Sequence, residues 1–172
     1  MNNMFALRKL QEKDAGFMLE WMHDEDVVRD LQTDFATKTL SDCMGFIERA
    51  QEENSNLHLA IVNDKDEYLG TVSLKNITKV NAEFGTTIRK CAMGTGCAIY
   101  AMRKIIYRAL DEMKLCEVYW CVSSLNKRAL RFYDKNGYKR VALNELMANV
   151  NDIYRCYDME QAKSFIWYHV VK

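Results

Sequence analysis

Proline is absent from all 172 residues, where about 5% is ordinary, so no proline-rich linker divides the chain. Repeats and low-complexity stretches are missing too, and the length suits a single domain over residues 1–172 with a substantial core. Charge of one sign is not in excess: 24 basic residues balance 24 acidic ones, which leaves no electrostatic case for nucleic acid or a membrane surface as partner. No apolar run approaches the ~20 residues needed to span a bilayer, and the amino terminus lacks a basic, then apolar, then small-residue signal. A cytoplasmic protein is the expectation. Histidine is scarce, with His23, His58 and His169 scattered, and neither a metal-ligand spacing nor a histidine-based triad can be drawn from them. The six cysteines, Cys43, Cys91, Cys97, Cys116, Cys121 and Cys156, form no Cys-x-x-Cys pair and read as buried or semi-buried free thiols in a reducing compartment, with no metal expected. A Gly-x-Ser-x-Gly elbow is missing, as is the Gly-x-x-x-x-Gly-Lys-Ser/Thr phosphate loop.

What is present is concentrated in two segments. In Cys91-Ala92-Met93-Gly94-Thr95-Gly96-Cys97-Ala98, a glycine pair ends a strand-like run and opens an amphipathic helix. Glycine tolerates left-handed backbone and lets a ligand approach the main chain. The first helical turn offers N–H groups with no intrahelical partner, at the positive end of the helix dipole, and a pyrophosphate fits there. Ile99, Met102, Ile106, Ala109, Leu110 and Met113 recur at three- and four-residue spacing and mark the buried face, with Arg103, Lys104, Arg108 and Glu112 opposite. No third glycine completes a dinucleotide fingerprint, so a simple chain reversal stays open at this point.

The second segment runs from Ser124 to Tyr138, after an apolar strand from Glu117 to Val122. Asn126 suits the cap of a short helix and Gly137 the turn after it. Asn126, Ala129 and Tyr133 share one face, and at about 1.5 Å rise per residue Asn126 and Tyr133 stand roughly 10 Å apart along it.

Together the two segments resemble the GNAT superfamily of N-acetyltransferases over residues 5–141. Cys91 to Gly96 is similar to that family's Arg/Gln-x-x-Gly-x-Gly/Ala loop. Asn126, Ala129, Tyr133, Lys135, Gly137 and Tyr138 are similar to its Asn-x-x-Ala-x-x-x-Tyr-x-Lys-x-Gly-Phe/Tyr block. The resemblance implies a single-domain α/β fold, with a mixed, mostly antiparallel central sheet flanked by helices and central strands splayed to admit pantetheine. It also implies acetyl-coenzyme A as donor and a primary amine as acceptor. The cofactor residues it carries over are Thr87, Ile88, Arg89, Met93, Gly94, Thr95, Gly96, Cys97, Ala98, Asn126 and Ala129. Cys91 departs from the pattern, since one charged or amide contact to the pyrophosphate is lost; Arg89 and Lys90 are the neighbouring cations expected to replace it.

For the chemistry, an amine must be deprotonated before it attacks. Glu83, on the strand before the loop and sharing a face with Gly85 and Thr87, is the candidate base, with a structural hydrogen bond or ion pair as the equal alternative. Tyr133 occupies the family's position for the acid that protonates the leaving thiolate, with aromatic packing as its alternative. Backbone N–H groups of Thr87 to Arg89 would polarise the thioester carbonyl. An acyl-cysteine on Cys91 or Cys97 is disfavoured, neither being paired with a histidine.

On the acceptor side, Glu20 to Asp26 and Val80 to Gly85 resemble the branch holding ribosomal-protein N-terminal acetylases and amino-sugar nucleotide N-acetyltransferases. Trp21, Asn76 and Glu83 are the substrate-side residues this implies. A nucleotide-linked 4-amino sugar leads, a protein N-terminus follows, and Asp24, Glu25 and Asp26 keep a polyamine open. A non-catalytic acyl-coenzyme A sensor and a purely structural domain are the readings from other classes.

Strands are expected at Phe5–Lys9, His58–Val62, Tyr68–Asn76, 80–88, Tyr138–Ala142 and 152–158. Helices are expected over Asp14–Asp30, broken near His23-Asp24, and from Thr39 to about Glu52. The aromatic tail Ser164–Lys172 has three fates: closing a core, covering the acceptor pocket or meeting a second copy in a homodimer.

Overall fold

The computed structural model describes residues 4–52, 54–151 and 153–172. Seven strands, β1 (Phe5–Lys9), β2 (Leu57–Asn63), β3 (Tyr68–Lys75), β4 (Asn81–Ile88), β5 (Glu117–Ser123), β6 (Lys139–Val141) and β7 (Phe165–Val171), form one sheet in the order β1-β2-β3-β4-β5-β7-β6. Every neighbouring pair is antiparallel except β4 and β5. The helices are α1 (Ala15–Met22), α2 (Glu25–Val28), α3 (Leu40–Glu52), α4 (Cys97–Tyr107), α5 (Lys127–Lys135), α6 (Leu143–Met147), α7 (Ile153–Cys156) and α8 (Met159–Ser164). The expected mixed, mostly antiparallel α/β sheet is therefore present.

The centre of the sheet comes apart. β4 and β5 pair only through Asn81–Glu117, Ala82–Val118 and Glu83–Tyr119, after which the strands diverge. Aromatic rings gather where the pairing stops. Phe84 meets Trp120 edge-on at 5.4 Å, and Trp120 stacks flat on Tyr168 at 5.5 Å. Tyr133 of α5 enters against both Phe84 and Trp120. These rings pack at the vertex of the wedge, adding apolar contact where ladder hydrogen bonds stop.

Two cores lie on opposite faces. α4 buries Ala101, Met102, Ile105 and Ile106 on one face of the sheet, against Leu74, Phe84 and Val118. On the other face α1 and α3 bury Met18, Trp21, Met22, Cys43 and Ile47 against Ala60, Val62 and Tyr68. The break at His23-Asp24 is a real helix boundary, because the Asp24 carboxylate accepts from the Asp26 amide and starts α2 afresh.

Several expectations need correcting. The segment expected as a strand over 152–158 is the helical turn α7 from Ile153 onward, Asp152 lying outside the described residues. Ile153 is 1% exposed in a small core with Leu146, Ala162 and Trp167, and that burial outweighs the strand propensity of its neighbours. Ile99 and Met113 leave the buried face of α4: Ile99 is half-buried beside a cavity and Met113 is exposed, whereas Ile105 is fully buried. Cys91, Cys116 and Cys156 are exposed, leaving Cys43, Cys97 and Cys121 as the buried or half-buried thiols. The aromatic tail needs no correction: it is β7, threaded between β5 and β6, and closes a core as the first of its expected fates has it.

Candidate active site

The glycine loop is built as its residues dictate. Gly94 and Gly96 have φ of 78° and 92°, and a Cβ added at either meets nothing within 4 Å. The main chain is thus left open where a side chain would otherwise stand. Gly96 caps α4, whose amides from Ala98 and Ile99 point out of the helix end without intrahelical partners. Thr95 and Cys97 hold the loop from behind. The Thr95 hydroxyl donates to the Ala92 carbonyl at 2.7 Å, and Cys97 is fully buried with its thiol pKa raised by desolvation.

A cavity of about 390 Å³ runs from this loop along the splayed strand to α5, and Met93, Gly94, Gly96, Ala98, Thr87 and Ile88 line it. Asn126, Ala129 and Tyr133 line its α5 side. Asn126 is buried with Oδ1 accepting from the Ala129 amide at 3.0 Å, so the cap and the cavity wall are one device. Burial raises the Tyr133 phenol pKa, and no described residue hydrogen-bonds its hydroxyl. Sequence reasoning did not identify Arg128. This exposed residue of α5 donates to the Asp26 carbonyl at 3.0 Å and ties α5 to α2 across the cavity edge.

The backbone of β4 supplies the floor. The Arg89 amide donates to the Leu69 carbonyl at 2.9 Å, which sets the phase of the β3–β4 ladder. By alternation Thr87 and Gly85 face β3, while Thr86 and Ile88 turn their N–H and C=O groups into the gap that β5 has vacated. Of the expected donors from Thr87 to Arg89, only Ile88 is so placed, and Thr86 joins it.

The charge expected from Arg89 and Lys90 is engaged elsewhere. The Arg89 guanidinium, 8% exposed, lies over Phe17 and donates to Glu20, Glu67 and the Tyr68 carbonyl. Lys90 pairs with Asp26 at 2.6 Å. These pairs fasten the loop's root to α1 and α2, and the cradle is left to backbone amides.

A second cavity, of about 500 Å³, opens on the other face beneath α1 and α3. Trp21 lines it, with its indole N–H donating to the Tyr68 hydroxyl at 3.1 Å, and that hydroxyl is 2.7 Å from Thr71 Oγ1. Sequence reasoning missed most of the remaining wall: Phe35, Phe46 and His58, the polar floor of Thr71 and Ser73, and the cations Lys38, Arg49 and Lys75. These come from four separate segments, brought together by the β2–β3 register and by the packing of α3 on that face. Thr86 and Thr87 line both cavities.

Glu83 and Asn76 stand outside the lining of both. Glu83 sits at the vertex of the splay, 3% exposed, and accepts from Lys75 at 3.2 Å, Asn76 at 3.0 Å and Tyr157 at 2.5 Å. Asn76 reaches it from the end of β3 with φ of 51°. Asp24, Glu25 and Asp26 line neither cavity, being occupied with the α2 cap, the Lys90 pair and solvent. Among the described residues no three His, Cys, Asp or Glu side chains are grouped to hold a metal ion, and no helix is long and apolar enough to cross a membrane.

Residues 5–139 match the family model described as the acetyltransferase (GNAT) domain. Acetyltransferase PseH of Campylobacter jejuni is 21% identical over 130 residues, 76% of this chain and 80% of that protein. The structure of Campylobacter jejuni PseH in complex with acetyl coenzyme A superposes with a TM-score of 0.65 at 18% identity, covering 98% of this chain and 99% of that one. Spermidine N-acetyltransferase of Vibrio cholerae, in complex with CoA and spermine, gives a TM-score of 0.71 at 17% identity, covering 99% and 96%. At such identities the solved structures share the fold.

Proposed function

The chain belongs to the GNAT acetyltransferase family, and on that premise we propose that it moves an acetyl group from acetyl-coenzyme A to the amine of a nucleotide-linked amino sugar. The coarser part, an acetyl-coenzyme A-dependent N-acetyltransferase, follows from the family; the acceptor and the residue roles are our reading. One observation carries it: two cavities on opposite faces of the sheet meet at Thr86 and Thr87, where β4 has lost its partner strand. A donor threaded through the gap and an acceptor seated under α1 and α3 reach the same two residues.

Acetyl-coenzyme A, when bound, supplies an activated acetyl carbon. Gly94, Gly96 and the first amides of α4 receive its pyrophosphate. The free N–H groups of Thr86 and Ile88 offer hydrogen bonds where the thioester carbonyl gathers negative charge. Tyr133, kept protonated by burial, donates its proton to the departing thiolate.

The acceptor class rests on the second cavity's charge. Among the described residues, Lys38, Arg49 and Lys75 line it, Lys75 being paired with Glu83 at its edge, and the one lining carboxylate, Asp42, is already bonded to the Thr39 amide and hydroxyl. Such a wall favours phosphate and disfavours a polyamine. Trp21, Phe35 and Phe46 add flat apolar surface for a base or sugar ring.

The test follows thiol release with acetyl-coenzyme A and three probes: a uridine diphosphate-linked 4-amino sugar, spermidine and a tripeptide with a free N-terminus. Faster release with the sugar nucleotide is expected. Preference for spermidine would overturn the acceptor reading.

A further inference from the structure

Resting on the acetyltransferase reading above, we propose that His58, acting through Ser73, accepts the proton that the acceptor ammonium must lose. The family-like candidate, Glu83, lies outside the acceptor cavity with both carboxylate oxygens engaged by Lys75, Asn76 and Tyr157. It serves as a positioning residue, holding Lys75 at the cavity wall.

His58 and Ser73 both line the cavity, with imidazole Nδ1 and hydroxyl Oγ 2.7 Å apart. Ser73 is paired with Gly85, and the next pair on the same face is Thr71 with Thr87, where the cavities join. Ser73 is therefore roughly 7 Å along the strand from the junction, and an amine seated in the cavity between Ser73 and the junction reaches it through water. The Phe46 ring, tilted over the imidazole at 4.8 Å, fixes its plane. Among the described residues, the charged groups that line this cavity with His58 are Lys75 from β3, Asp42 and Arg49 from α3, and Lys38 from the segment before α3.

Through water, the ammonium nitrogen gives a proton to Ser73 Oγ as the Ser73 hydroxyl proton passes to His58 Nδ1. The amine then forms its bond to the acetyl carbon, the carbon–sulfur bond breaks, and Tyr133 protonates the thiolate. The second nitrogen proton replaces the one Tyr133 gave, through water, and His58 returns its proton to solvent. Net, an ammonium and a thioester become an amide, a thiol and one free proton.

The test measures kcat and kcat/KM against pH for the wild type, His58→Gln, His58→Ala, Ser73→Ala and Glu83→Gln, with whichever of the three probes turns over. Acetyl-coenzyme A affinity by calorimetry serves as the control for folding. His58→Gln is expected to lower kcat about 100-fold, to erase an acid-side ionisation from the kcat/KM profile, and to leave acetyl-coenzyme A affinity within twofold. Added imidazole should restore part of the His58→Ala rate, and Ser73→Ala should lose about tenfold while keeping the ionisation. A His58→Gln enzyme with the wild-type profile overturns the proposal, as does loss of the ionisation in Glu83→Gln alone. A wild-type protein that binds acetyl-coenzyme A but acetylates no probe defeats the parent reading instead, and is told apart by needing no variant.

Discussion

Replacing Gly94 or Gly96 by alanine separates ligand binding from backbone strain, because Gly137 supplies a matched control. All three have φ between 78° and 92° and open space where a Cβ would go. Gly94 and Gly96 line the donor cavity, whereas Gly137 closes α5 outside it. Placing alanine in left-handed backbone costs roughly 1–2 kcal/mol. At about 2–4 °C per kcal/mol for a chain of this size, each variant should melt about 2–8 °C lower. In the cradle a methyl group also keeps a phosphate from the loop amides. Losing about two charge-assisted hydrogen bonds removes about 3 kcal/mol, or roughly 100-fold in affinity. Calorimetric titration with acetyl-coenzyme A, beside a melting curve for each variant, reads both effects. Gly94→Ala and Gly96→Ala should show the melting loss and the affinity loss, and Gly137→Ala the melting loss alone. Equal affinities in all three would refute the backbone cradle.

Further outcomes follow from other contacts. Tyr133→Phe should lower kcat about 100-fold with acetyl-coenzyme A affinity unchanged, read by thiol release and calorimetry; unchanged turnover removes the phenol from the chemistry. Arg8→Met leaves the Asp14 carboxylate, 1% exposed and otherwise bonded to the Gln11 amide, without its bidentate partner. About 3 kcal/mol and a melting loss of roughly 6–12 °C are expected by calorimetry. Asp26, Asp42, Asp66, Glu67 and Asp134 are held below the usual carboxylate range, chiefly by hydrogen bonds from Lys90, Thr39, Lys13, Arg89 and Arg140 respectively. Depressed folded values give stability that is present above the unfolded value and lost as pH falls through the folded one. The melting temperature should therefore fall below about pH 4 and less steeply in high salt. In a thiol count at pH 8, Cys91, Cys116 and Cys156 should react quickly. Cys121, pushed up to about 12 by desolvation, should react only on unfolding.

What was legible in the sequence was local. The glycine pair and the Asn126 cap announce themselves because a positive φ and an orphan amide call for particular residue types at one place. The break before α2 is legible for the same reason, through Asp24. Nonlocal features were not readable in this way. The acceptor wall draws His58, Ser73 and Phe46 from two strands and a helix, and no spacing links them before the β2–β3 register is known. Arg89 reads as a loop cation, yet Glu20 and Glu67, distant in sequence, draw it under the sheet. Ile153–Cys156 shows the opposite failure, strand-forming residues coiled by the need to bury Ile153. The aromatic tail carried its meaning only once β5 and β6 stood ready on either side of it.

The most direct test is a crystal structure of the protein with coenzyme A and the uridine diphosphate-linked amino sugar bound together. The account predicts pyrophosphate on Gly94 and Gly96, the thiol sulfur in the gap beside Thr86 and Thr87, and the sugar amine approaching from the cavity under α1 and α3. Coenzyme A outside that gap, or the amine arriving from the α4 face, would contradict it.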